Sequence, residues 1–103
     1  MWIIKRPTLA KFWAKWRQAE RPLCDWFRVT KHASWRNFQE VKATFGQTDQ
    51  AVTTRTGSTV TIFDIGGNKF RLITAIHYNT QKVFVLRILT HKEYDTNLWK
   101  RQL

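Results

Sequence analysis

Near the end of the chain, Thr90-His91-Lys92-Glu93-Tyr94-Asp95 gathers an imidazole, an ammonium, a carboxylate and a phenol into one short segment. Imidazole, with an unperturbed pKa of about 6.5, is the side chain best suited to moving protons at neutral pH. Upstream, Arg71 and Arg87 each interrupt a run of apolar residues. A guanidinium is a planar fork of donors that matches a phosphate in bidentate fashion. Two such forks beside an imidazole are the parts of a site for a phosphate ester. His32, next to Lys31 on a predicted helix, reads as a surface residue, and His77 is a second, weaker candidate.

These side chains meet only if strands carry them. From Thr59 the sequence alternates with many β-branched residues, which predicts strands over Thr59–Ile65, Asn68–Tyr78 and Lys82–Leu89, with Gly66-Gly67 and Asn79-Thr80 as the turns. Successive strand residues point to opposite faces. Phe70, Leu72, Ile76 and Tyr78 then share one face with Phe84, Leu86 and Ile88. Lys69, Arg71, Ile73 and His77 share the other with Val83, Val85 and Arg87. The first face calls for a cover of helices, and the second leaves the arginines open.

The cover is legible upstream. After a first strand at Trp2–Lys5, Pro7 opens a helix with Leu9, Phe12, Trp13 and Trp16 on one side. Pro22 opens a second, with Leu23, Trp26, Phe27 and Thr30 as its stripe. Asn37 and Glu40 form a capping-box pattern before a third helix carrying Phe38, Val41 and Phe45, stopped by Gly46. Residues 46–58 read as a loop, Thr90–Asp95 leaves the sheet, and residues 96–103 form a short helix or a tail. The expected architecture is α+β, one domain over residues 1–103: an N-terminal strand, then two or three helices packed on one face of an antiparallel sheet.

Composition narrows the partners. The 103 residues include six Trp and seven Phe, enough large apolar surface for a core at this length. Eighteen Lys and Arg against seven Asp and Glu give a net charge of +11, beyond what solubility requires and suited to a polyanion. Ten of the basic residues precede position 43, against three acids. The lone Cys24 excludes an internal disulfide and a cysteine zinc site, and fits a reducing, cytoplasmic setting. No apolar run approaches the ~20 residues needed to cross a bilayer, and the opening Met1–Arg6 segment does not read as a signal peptide.

Two segments in combination resemble the HigB toxins of type II toxin–antitoxin modules: Phe63-Asp64-Ile65-Gly66-Gly67-Asn68-Lys69-Phe70-Arg71-Leu72 and Thr90-His91-Lys92-Glu93-Tyr94-Asp95. Lys31-His32-Ala33-Ser34-Trp35 and Val41-Lys42-Ala43-Thr44-Phe45 are similar to the family's helical half, so the resemblance runs from Pro22 to Asp95. It implies a RelE-like fold, β-α-α-β-β-β, and an mRNA interferase that cleaves mRNA, commonly on the ribosome. It also implies a cognate HigA-like antitoxin with a helix-turn-helix domain, through which alone DNA would be contacted. Basic residues on the concave sheet face and an acid/base group by the last strand correspond here to Arg71, Arg87, His91 and Tyr94.

RNA supplies its own nucleophile, the 2′-OH. On this reading Arg71 and Arg87 hold the scissile phosphate, Lys69 or Lys92 adds charge, and Asn68 and His77 are further RNA contacts. His91 transfers a proton, to the leaving oxygen in the first instance, and Tyr94 stacks on a base or orients the 2′-OH. A non-catalytic RNA- or ribosome-binding protein is the alternative, although such a protein has no need of the His91/Tyr94 pair. A DNA-binding regulator ranks last, since no helix-turn-helix pattern is present. Asp64, Glu93 and Asp95 are too few, and too embedded among basic residues, for a two-metal cluster, so neither metal nor cofactor is expected. RNA cleavage should therefore persist in excess EDTA in a single-turnover assay; abolition by the chelator would overturn a metal-free scheme.

Overall fold

The computed structural model describes residues 1–103. In chain order the elements are β1 (Trp2–Ile4), α1 (Pro7–Lys15), α2 (Glu20–Lys31), α3 (Phe38–Thr44), β2 (Thr48–Val52), β3 (Thr59–Ile65), β4 (Phe70–His77), β5 (Lys82–Thr90), α4 (His91–Asp95) and α5 (Leu98–Gln102). The strands form one sheet in the order β1-β5-β4-β3-β2. The α+β arrangement with an N-terminal strand is as expected. The sheet is mixed, because β1 runs parallel to β5 while the other pairs are antiparallel.

Local chemistry explains the helices. Pro7 takes the first turn of α1, where its missing N–H costs nothing. A 3-10 turn at Arg17–Ala19 leads into α2, which begins at Glu20, two residues before Pro22; Pro22 is tolerated there because first-turn amides lack helical acceptors. The Asn37 side chain caps α3 by accepting from the Glu40 N–H at 3.1 Å. The other half of the expected box is redirected: Glu40 accepts from the Arg36 backbone and guanidinium instead. Leu9, Leu23, Trp26, Trp35 and Val41 from this helical half bury against Phe63, Phe70, Leu72, Val83, Val85 and Ile88 of the sheet.

This packing corrects the expected faces of the last strand. Val83 and Val85 lie under the helices, whereas Phe84 and Leu86 face the other way with Arg87. Phe84 meets the His77 ring, and Leu86 packs beside Ile73. The cause is a bulge: Ile73 pairs with Arg87 but Thr74 pairs with Val85, so one extra β5 residue is inserted and the alternation changes phase. Arg87 and Ile88 keep their expected faces.

Two further departures matter. Residues 48–52 form an edge strand, β2, within the segment read as a loop; Thr48-Asp49-Gln50-Ala51-Val52 carries little apolar alternation, and its pairing with β3 organises it. The second sheet face is also only partly open. Trp99 of α5, 2% exposed, packs on Val60, Ile62 and Ile73, with Tyr94 and Leu103 alongside. Lys100 O accepts from the Thr54 N–H at 3.0 Å, which ties α5 to the loop between β2 and β3. Trp99→Ala should therefore cost about 3–5 kcal/mol in urea denaturation, as for other buried tryptophans. A loss within about 0.5 kcal/mol, the range of surface changes, would show that α5 does not cover this face.

Candidate active site

The β3–β4 hairpin brings the first functional group into place. Gly66 and Gly67 both have positive φ (67° and 75°), the region glycine enters without steric cost, and the turn they make sets Asp64 directly opposite Arg71. Arg71 Nε lies 3.1 Å from Asp64 Oδ1. Its Nη1 donates to the Phe70 carbonyl at 3.2 Å, and its Nη2 donates to the Asn68 side-chain oxygen. Arg71, a residue only 8% exposed, thereby has its guanidinium held from three sides.

The second group arrives from the end of β5. Thr90 caps α4 with a complete capping box: its hydroxyl accepts from the Glu93 N–H and the Glu93 carboxylate accepts from the Thr90 N–H. The His91 N–H donates to the Lys69 carbonyl at 2.9 Å, fixing α4 against the hairpin turn. His91 Nδ1 then lies 3.3 Å from Arg71 Nη2, and Nε2 lies 3.1 Å from Asp95 Oδ2. Arginine can only donate and carboxylate can only accept. These neighbours select the imidazole tautomer with its proton on Nε2 and a lone pair on Nδ1. Tyr94 completes the cluster: its ring is stacked on Trp99 (5.4 Å, 15°), with the Arg71 guanidinium carbon 5.4 Å from its centroid.

Burial and charge tune these groups. Burial pushes the Asp64 carboxyl above its ordinary value, outweighing the downward pull of Arg71; Asp49 adds to the rise and His91 opposes it. Burial also raises the Tyr94 phenol, helped by Asp49, Asp64 and Asp95 against Arg71. The phenol is thus neutral, a hydrogen-bond donor, throughout the physiological range.

Of the residues singled out in the sequence, Arg71, Asn68, His91 and Tyr94 converge in one cluster. Arg87 shares their sheet face and is a diagonal neighbour of Arg71 across the β4–β5 pair, at a spacing of roughly 7–8 Å between Cα atoms. It makes no ion pair or side-chain hydrogen bond, and lines a hollow of 370 Å³ with Leu89, Glu93, Leu98 and Gln102, Glu93 being the carboxylate engaged in capping α4. Lys69 and Lys92 flank the cluster, exposed. His77 is not gathered in: it lies six residues along β4 from Arg71, about 20 Å away at the usual strand rise, against Phe84. Sequence reasoning did not give Asp64, Asp95 or Asp49 a place in the site. Asp64 follows from the hairpin register, and Asp95 from the i,i+4 spacing to His91 once residues 91–95 are helical. No three His, Cys, Asp or Glu side chains come together at a spacing that could hold a metal ion.

Helices backing one face of a small sheet, with an arginine, imidazole and phenol gathered on the other, make this a RelE-like α+β domain. Residues 19–97 match the HigB toxin family, described as the RelE-like toxic component of a toxin-antitoxin system, and the chain belongs to that family. The mRNA interferase toxin HigB of Escherichia coli (strain K12) is 38% identical to it over 34 residues, 33% of each chain. The mRNA interferase HigB proteins of Escherichia coli O157:H7 and Shigella flexneri match to the same extent. The chain thus aligns with about a third of the length of these relatives. No helix is long and apolar enough to cross a membrane.

Both tyrosines of the chain, Tyr78 and Tyr94, are raised above 10.0 chiefly by burial. For an acid so shifted, folding favours the neutral form. The associated stability is complete below the unfolded value and disappears as pH rises through the folded values. The phenolate absorbance of the native protein should accordingly appear at higher pH than that of the unfolded chain; coincident titrations would show that neither hydroxyl is sheltered.

Proposed function

We propose that this chain is an mRNA interferase, the toxin of a toxin–antitoxin pair, cleaving RNA by metal-independent attack of the 2′-OH on the adjacent phosphate. The observation that carries the reading is the Arg71–His91–Asp95 chain of contacts beside the unpartnered Arg87, in a member of the HigB family. Arg87 supplies the free cation for the scissile phosphate. Arg71, with most of its donors engaged, offers the Nη2–H edge that now faces His91.

A phosphate oxygen taking that Nη2–H leaves Nδ1 free to accept the 2′-OH proton, while Asp95 holds Nε2–H and stabilises the imidazolium formed. The 2′-oxygen bonds to phosphorus, the bond to the 5′-oxygen breaks, and the departing oxygen takes a proton from water or from the Lys92 ammonium. The products are a 2′,3′-cyclic phosphate and a 5′-OH. This frame favours His91 as the base in the first step, where the sequence alone had it serving the leaving oxygen. Tyr94, neutral and held by Trp99, donates a hydrogen bond or stacks on a base. Lys69 and Asn68 border the RNA path, and His77 meets only a longer strand.

The partners follow from the same reading: mRNA presented by a ribosome, and a HigA-like antitoxin whose helix-turn-helix domain makes any DNA contact, all in the cytoplasm. The direct test is purified protein with mRNA, with and without ribosomes. His91→Gln should slow cleavage on the order of 10²–10⁴-fold, the usual worth of general acid–base catalysis, while RNA affinity stays within a few-fold. Equal loss of both would reduce His91 to a binding residue, and an intact RNA bound by the parent protein would leave RNA binding as the function.

A further inference from the structure

A second recessed surface lies at the opposite corner of the molecule, where β1 meets α2. Met1, Trp2, Ile3, Arg6, Phe27 and Lys31 line a groove of 390 Å³, which continues past Arg6 and Phe27 toward Trp13 and Cys24. β1 is the edge of the sheet, and its register places this groove beside the Lys82–Phe84 end of β5, away from Thr90 and α4. Trp2 is 72% exposed, an unusual position for the largest apolar side chain.

Three observations bear on what fits there. The charged side chains of the groove are both cations. Arg6 rests over the Phe27 ring at 4.5 Å, and neither Arg6 nor Lys31 has a carboxylate partner. The nearby acids are engaged or turned elsewhere: Asp25 pairs with Arg28 at 3.1 Å, and Glu20 lines a separate hollow with Arg17 beyond Trp13. The main chain is also available. The Trp2 N–H goes to the Gln81 carbonyl at 2.7 Å, so in this parallel pair the Ile3 N–H and C=O point outward from the sheet.

We infer that this groove is a docking surface for an extended, acidic segment of a protein partner, which adds alongside Ile3 and sets an apolar side chain between Trp2 and Phe27. Carboxylates flanking that anchor meet Arg6 and Lys31. The free strand edge favours a peptide over a nucleic acid, since only a peptide backbone offers the matching donor and acceptor. The apolar walls of Met1, Trp2, Ile3 and Phe27 favour it for the same reason. The inference stands apart from RNA cleavage, which uses the other end of the sheet.

The probe is a short synthetic peptide of alternating glutamate and valine around a central leucine, titrated into the intact protein and followed by backbone amide NMR. Saturable shifts centred on Ile3, Arg6, Phe27 and Lys31 are expected. Affinity should fall about tenfold or more, a change of ~1.4 kcal/mol, in the double variant Arg6→Glu, Lys31→Glu, and should also fall in Trp2→Ala, whose exposed side chain the fold does not need. RNA cleavage by these variants should match the parent, which keeps this surface distinguishable from the site at His91. Equal binding of a lysine-for-glutamate version, displacement of the peptide by a single-stranded RNA oligonucleotide, unchanged affinity in the double variant, or shifts confined to Arg71 and His91 would each overturn it.

Discussion

The guanidinium of Arg71 is the point on which one end of the molecule is assembled. Its Nε is paired with Asp64 on β3, its Nη atoms serve Asn68 in the hairpin turn and Phe70 on its own strand, and its exposed edge meets His91 and the Tyr94 ring on α4. A charge this covered is tolerable only because it is paired and hydrogen-bonded; removing one member of such a pair typically costs about 3–5 kcal/mol. One side chain therefore couples the hairpin register, the turn and the orientation of the imidazole. The Asp64 carboxyl shows the tension in this design, since burial raises it even with a guanidinium in contact.

The C-terminal residues share in the same construction. The capping box at Thr90 starts α4 at His91, so helix initiation also sets the imidazole beside Arg71. Trp99 closes over Val60, Ile62 and Ile73 and gives Tyr94 a stacking partner, and its indole N–H donates to the Tyr94 carbonyl at 3.1 Å. What would otherwise be a bare apolar sheet face becomes a small second core, leaving Arg87 and the cluster at its margin. The β5 bulge belongs to this arrangement, because it lets Leu86 join that core while Ile88 stays beneath the helices.

Most of the seven carboxylates are placed where a cation or a helix end needs one. Asp25 and Glu40 hold arginines on the helical surface, and Asp64 holds Arg71. Glu93 caps a helix, and Asp95 orients an imidazole. The remaining excess of cations is spread over both sides of the sheet. Arg87 is unpaired near the Arg71 cluster at one end, while the groove at β1 carries its own cations and an apolar floor.

By itself the sequence determined the α+β class, the helices with most of their apolar stripes, and the central hairpin; Trp16, expected on the first stripe, lies past the end of α1 and is exposed. Each of the features so determined depends on spacing within one element or on turn residues, and such local preferences can be read directly from the chain. Tertiary structure decided what depends on pairing. The polar strand β2 exists because β3 offers its edge, and the faces of Val83, Phe84, Val85 and Leu86 were reversed by one bulged residue that no local preference announces. The partnership of Asp64 with Arg71, the setting of His91 between a donor and an acceptor, and the folding of Trp99 over the sheet likewise required strands and helices distant in sequence to meet. Hydrogen bonds and burial across elements carry no periodic mark in the residues that make them.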